Sequence, residues 1–106
     1  ILDAISNIER FVKDVSREDF FGNVEKQYAV LRGLEIIGEA TKNLSRELKR
    51  KHPEVPWKEI AGMRDKLVHQ YFGVNLGLVW ETIQGRLPEL REQVVNILKK
   101  LEGKPS

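Results

Sequence analysis

The 106-residue chain contains no cysteine. Disulfides, thiolate nucleophiles and cysteine-ligated zinc are thereby excluded. Histidine is nearly as scarce: His52 and His69 are the only two, too few for a His-rich metal site within one chain. No metal and no cofactor are expected. No apolar run approaches the roughly 20 residues that span a bilayer, and no secretory leader is visible. A cytoplasmic protein without membrane contact is the expectation. Charge of one sign is missing too: 18 Lys+Arg face 16 Asp+Glu, a net charge of +2. That permits nucleic-acid binding without demanding it. The chain opens at Ile1 without Met, in what reads as mid-helix, so further N-terminal residues are expected.

What is present suits one folded domain. Hydrophobic residues make up 41% and charged residues 32%, enough apolar surface for a core and too much for disorder. A chain this short buries only about 60–70% of its unfolded surface, so a partner subunit would help it. Apolar periodicity is helical throughout. Ile1, Ile5, Ile8, Val12 and Val15 form one face of a first helix. Ser16 to Asp19 reads as a turn or a short helical start. Asn23 suits the N-cap of a long second helix, with a stripe of Tyr28, Leu31, Leu34, Ile37, Thr41, Leu44 and Leu48, ending at His52-Pro53. Gly33 and Gly38 lie inside it, each costing about 1 kcal/mol of propensity against Ala; close packing is the ordinary reason to keep them. A third helix runs from about Trp57 towards Tyr71, with Ile60, Met63 and Leu67 inside. Asn75 suits the cap of a fourth, where Leu76, Trp80, Ile83, Leu87, Leu90, Val94, Ile97 and Leu101 alternate steps of four and three. Pro88 sits within that run and should kink it. The expected fold is all-α: an antiparallel bundle of four main helices, dimeric, spanning residues 1–102, with a disordered tail at 103–106.

Chemistry concentrates in Arg64-Asp65-Lys66-Leu67-Val68-His69-Gln70-Tyr71. If this segment is helical, Asp65 and His69 share a face four residues apart. The carboxylate can then fix the imidazole tautomer and favour its charged form. An exposed pair of that kind contributes only about 0.3–0.5 kcal/mol, and Tyr71 could simply bury its ring. Arg64 is a fixed cation with a planar fork suited to phosphate, and His69 moves protons near neutral pH. The two lie five apart, about 140° round an ideal helix. They converge only if the site straddles an element boundary or draws on a second chain. The natural candidate reaction is RNA phosphodiester cleavage by the 2′-hydroxyl. It needs a base, an acid and phosphate stabilisation. One chain offers one strong proton-transfer residue here; a twofold dimer offers two.

Arg64-x4-His69-x-Tyr71 resembles the Arg-x4-His-x-Tyr motif of the HepT-like toxins of the HEPN superfamily. Glu35-Ile-Ile-Gly-Glu-Ala-Thr41, Pro56-Trp57 and Ile60-Ala-Gly-Met-Arg-Asp65 resemble that family too, and the likeness runs from Ile1 to about Leu101. The resemblance implies small helical homodimers that place two motifs in one cleft and act as metal-independent endoribonucleases. It also implies a partner, a nucleotidyltransferase antitoxin of the MntA type, which silences the enzyme by transferring AMP to the motif tyrosine. Carried onto this chain, Arg64 and His69 are catalytic, Asp65 orients His69, and Tyr71 receives AMP. The alternative class is a non-catalytic helical module that docks a nucleotidyltransferase.

Other charged and aromatic residues lie outside the motif. Lys42, Arg46, Lys49, Arg50 and Lys51 cluster with Glu47 as the lone acid. They read either as an RNA phosphate track, with Lys42 and Arg46 as its candidate contacts, or as a solvated face complementing a helix C-terminus; the solvated face is preferred. His52 at that helix end reads as a cap or surface residue. Of Glu35 and Glu39, one turn apart, one is expected to pair with a cation such as Lys42 or an arginine of the motif helix. Trp80 belongs to core or interface, and Trp57 to first-turn packing.

Overall fold

The structure is a computed structural model that describes residues 1–69 and 73–103; at positions 64, 67–69, 73 and 74 it describes the backbone. Its elements are α1 (Leu2–Phe11), α2 (Arg17–Phe21), α3 (Val24–Lys42), α4 (Arg46–Lys51), α5 (Trp57–Ala61), α6 (Met63–Leu67), β1 (Val68–His69), β2 (Gly73–Val74), α7 (Leu76–Glu81), a π-helical turn (Thr82–Arg86) and α8 (Leu87–Leu101). The helical expectation is met. The expected four helices are subdivided, and each break has a local cause.

The first break follows α1, where Ser16 caps α2. Its hydroxyl accepts from the Asp19 N–H, while the Asp19 carboxylate accepts from the Ser16 N–H, a reciprocal capping box. Asn23 caps α3 as expected, its side-chain oxygen accepting from the Lys26 N–H at 3.0 Å. The long second helix stops at Lys42 rather than running to His52, because Ser45 starts a new helix by accepting from the Leu48 N–H at 3.1 Å. The expected third helix is likewise two, α5 and α6, parted at Gly62. It ends at Leu67, well before Gly73. Val68 pairs with Val74 and His69 with Gly73 in a two-residue antiparallel ladder that the periodicity did not suggest.

Asn75 caps α7 by accepting from the Leu78 N–H at 3.1 Å. Pro88 then acts before its own position. In a continuous α-helix its ring would collide with the Gln84 carbonyl, and it has no N–H to donate. The chain widens instead: the Leu87 N–H donates to the Thr82 carbonyl, five residues back. Pro88 therefore falls in the first turn of α8, where it is tolerated.

The Cα envelope measures 44 × 30 × 17 Å, about two helix layers deep. Helix α3 is the spine, packed on α1, α2, α5 and α6, with α8 against α1. Ile5 and Ile8 of α1, Phe20, Val30, Leu34 and Ile37 of α3, Ile60, and Leu87 and Leu90 of α8 are fully buried. The α3 stripe is thus Val30, Leu34, Ile37 and Thr41. Tyr28, expected inside, is 70% exposed. The last stripe is met at Ile83, Leu87, Leu90 and Ile97, whereas Leu101 is exposed. Between layers, Lys26 Nζ donates to the Phe11 carbonyl at 2.9 Å, and Arg91 joins α8 to Ser6 and Glu9 of α1.

Candidate functional site

The segment bearing Arg64 is held against the middle of α3. Ile60 and Met63 anchor it from below, both buried. From above, Gly38 lets α3 approach the turn between α5 and α6 directly. A Cβ at Gly38 would stand 3.2 Å from the Ala61 carbonyl oxygen and 3.7 Å from that of Ile60. Close packing is therefore what this glycine serves, and Gly33 serves it against α1. The Gly62 carbonyl then accepts from the Asp65 and Lys66 N–H groups at 3.1 and 3.3 Å, which restarts the helix and places Arg64 in its first turn.

Arg64 and His69 lie on opposite sides of an element boundary. Arg64 belongs to α6, which ends at Leu67, and His69 to β1. The five-residue helical divergence of about 140° consequently does not apply to them. The same boundary removes the helical i, i+4 relation expected for Asp65 and His69. Asp65 lines a recess of about 280 Å³ with Ala61 of α5 and Glu35, Gly38, Glu39 and Lys42 of α3. Tyr71 lies outside the described residues.

Charge around the recess is mixed. Glu35 accepts from Arg32 Nη1 at 2.8 Å, one cation that its own helix supplies from three residues back. Among the described residues no group of three His, Cys, Asp or Glu side chains stands where it could hold a metal ion, and no helix is long and apolar enough to cross a membrane.

The second histidine has a structural place. His52 is 7% exposed and caps α4, as expected of a cap but not of a surface residue. Its Nδ1 lies 3.3 Å from Glu54 Oε1. Glu54 is held below the usual carboxylate range, first by a backbone hydrogen bond and further by His52 and Lys100. The Trp57 indole N–H donates to the Lys49 and His52 carbonyls at 3.2 and 2.9 Å, so this side chain closes α4 while opening α5. Sequence reasoning missed that role; an indole five residues beyond a helix C-cap was its only trace. Trp80, half-buried, packs against the core on buried Phe20, with ring centroids 5.5 Å apart and ring planes tilted by 37°.

Known proteins resemble this chain over most of its length. A family model described as "Ribonuclease HepT-like" matches residues 1–97. A protein of Caldanaerobacter subterraneus subsp. tengcongensis named "Putative RNase" is 59% identical over 88% of this chain and 82% of its own. Another so named, from Methanocaldococcus jannaschii, is 46% identical over 98% and 86%. The "Probable ribonuclease HepT" of Thermococcus cleftensis is 46% identical over 93% and 90%. No solved structure matches the chain significantly. A family match over nearly the whole chain, with such relatives beside it, leaves one conclusion: the chain belongs to the HepT-like family of the HEPN superfamily.

Proposed function

We propose that this protein is a metal-independent endoribonuclease, the toxin of a toxin–antitoxin pair, working as a homodimer with two Arg-x4-His-x-Tyr motifs around one cleft. The observation that carries the reading is the boundary between Leu67 and Val68. It frees Arg64 and His69 from a common helix, so both can face one substrate. The names borne by the relatives favour RNA as that substrate.

In the proposed reaction a neutral His69 takes the proton of the ribose 2′-hydroxyl. The 2′-oxygen bonds to phosphorus, the P–O5′ bond breaks, and O5′ leaves with a proton from a charged His69. Arg64 holds the non-bridging oxygens as negative charge grows on them. Products are a 2′,3′-cyclic phosphate and a 5′-hydroxyl. Two histidines are needed at once, and His52 is engaged in capping, so the second comes from a second copy. The α3 face carrying Glu35, Glu39 and Lys42 also carries Val24 and Tyr28 at helical spacing. These two are 59% and 70% exposed, apolar surface that a second copy would cover. Asp65, at the recess beside Arg64, keeps the motif segment charged and oriented.

Silencing is proposed at Tyr71. Its phenol oxygen attacks the α-phosphorus of ATP on the partner nucleotidyltransferase, and pyrophosphate leaves. The added nucleotide occupies the RNA cleft and engages Arg64.

The test is cleavage of RNA in EDTA by the native protein, His69→Ala and Arg64→Ala. Cleavage by the native protein alone, leaving cyclic phosphate ends, is the expected result. Absence of cleavage by a folded, unmodified native dimer would leave the docking module as the reading.

A further inference from the structure

We infer that α4 is the substrate platform of this protein: a basic face, leading away from the recess at Lys42, that holds the backbone of single-stranded RNA. The inference rests on the ribonuclease reading and locates where the RNA runs beyond the motif.

The residues are Lys42 at the end of α3, Arg46 and Arg50 one turn apart on α4, and Lys51. All four are exposed. Lys42 lines the recess that Asp65 also lines, next to Arg64 in sequence. Arg46 follows four residues later, within about 14 Å of chain reach. Arg50 stands about 6 Å further along the helix. The cations thus form one path that begins beside the motif.

The competing explanation is that these cations neutralise a helix C-terminus. The structure has other donors there. The Lys49 carbonyl accepts from the Trp57 indole and from the His52 N–H at 3.3 Å, and the His52 carbonyl from the same indole and from the Val55 N–H at 3.2 Å. Among the described residues only Lys51 of these cations has an acid in ion-pair reach, Glu47 at 3.2 Å. Arg46 and Arg50 at i, i+4 repel each other. This basic helix, capped at one end by Ser45 and clamped at the other by Trp57, gains from a polyanion the compensation that the described residues do not give Arg46 and Arg50. A flexible loop would lose entropy on ordering against phosphates; this element is ordered beforehand.

The test uses a fluorescent single-stranded 2′-deoxy oligonucleotide, which the proposed reaction cannot cleave, and anisotropy over a salt series. The K42Q/R46Q/R50Q protein is expected to bind it roughly tenfold or more weakly near 0.1 M salt, with the slope of log Kd against log salt reduced by about 2, some 0.7 per lost phosphate contact. R10Q/K13Q, beside the start of α3 where Lys26 meets Phe11 and away from α4, is expected to keep native affinity. R46K/R50K should restore most of the binding, which separates charge from folding. Equal affinity and slope in the triple variant, with native binding intact, would overturn the platform and leave α4 to solvent or to an acidic protein partner. Native cleavage with that result would spare the nuclease reading. A lost slope without native cleavage of RNA would sink the nuclease reading and keep the platform. Failure of the native protein to bind would overturn both.

Discussion

Replacing Gly33 by alanine tests the packing of the two helices that carry most of the core. A Cβ there would lie 2.7 Å from Ile8 Cγ1 and 2.8 Å from Cδ1. Carbon atoms settle at about 3.5–4.0 Å, so the overlap is about 1 Å. Ile8 is fully buried, and its β-branched side chain is stiff in a helix. Overpacking of this kind costs about 1–3 kcal/mol, while alanine returns about 1 kcal/mol of helix propensity. The expected net loss is about 1 kcal/mol, or about 4–8 °C in Tm for a chain near this size. Urea unfolding by linear extrapolation measures it. The sign should reverse once the obstacle is gone: in an Ile8→Ala background, Gly33→Ala should stabilise, refilling space and gaining propensity. A coupling energy above about 1 kcal/mol follows. Stabilisation by Gly33→Ala in the native background, or equal effects in both, would refute the reasoning.

Two further outcomes are expected. Gly38→Ala presses on the Ala61 carbonyl, which can yield by a few tenths of an ångström, so stability should stay within about 1 kcal/mol while Arg64 is displaced; kcat for RNA should fall several-fold with little change in KM. For Glu54, a folded pKa below the ordinary 4.5 means that its contribution is present above about pH 4.5 and fades as pH falls through the lower folded value. Glu54→Gln should therefore lower the urea midpoint near pH 6 and have less effect near pH 3.

The legible parts of the fold were those that local chemistry determines. Asn23 and Asn75 read as caps because their side chains mimic a backbone acceptor, and the apolar steps from Ile83 to Ile97 survive because one face of a helix must meet the core. Tyr28 was misjudged for a physical reason. Steps of three from Tyr28 to Leu31 and Leu34 drift round the helix, whereas Val30, Leu34, Ile37 and Thr41 keep to one side. The break before α4 had a trace in Asn43 and Ser45, polar residues where the stripe continued through Leu44 and Leu48. The end of α6 had almost none: no glycine or proline follows Leu67 until Gly73, and a two-residue ladder gains its hydrogen bonds from a partner distant in sequence. At the site, Arg64 and His69 could be chosen from residue type and spacing. Their placement on two elements depended on where α6 stops, and the role of Gly38 depended on a neighbouring helix that no local pattern names.

The widened turn ahead of Pro88 has a consequence for how this chain can change over time. Each residue of an α-helix adds about 100° of rotation. The turn at Thr82–Arg86 sets the angle between the side of α7 that buries Val79 and the side of α8 that buries Leu87, Leu90 and Ile97. Losing one residue there would close the widened turn to an ordinary α-turn and set the Pro88 ring against the carbonyl four residues back, whereas gaining one would swing one of those sides about 100° out of the core. The Gly85 position has open space around it, so its identity is free while its presence is not. In this stretch the number of residues is constrained more tightly than their kind.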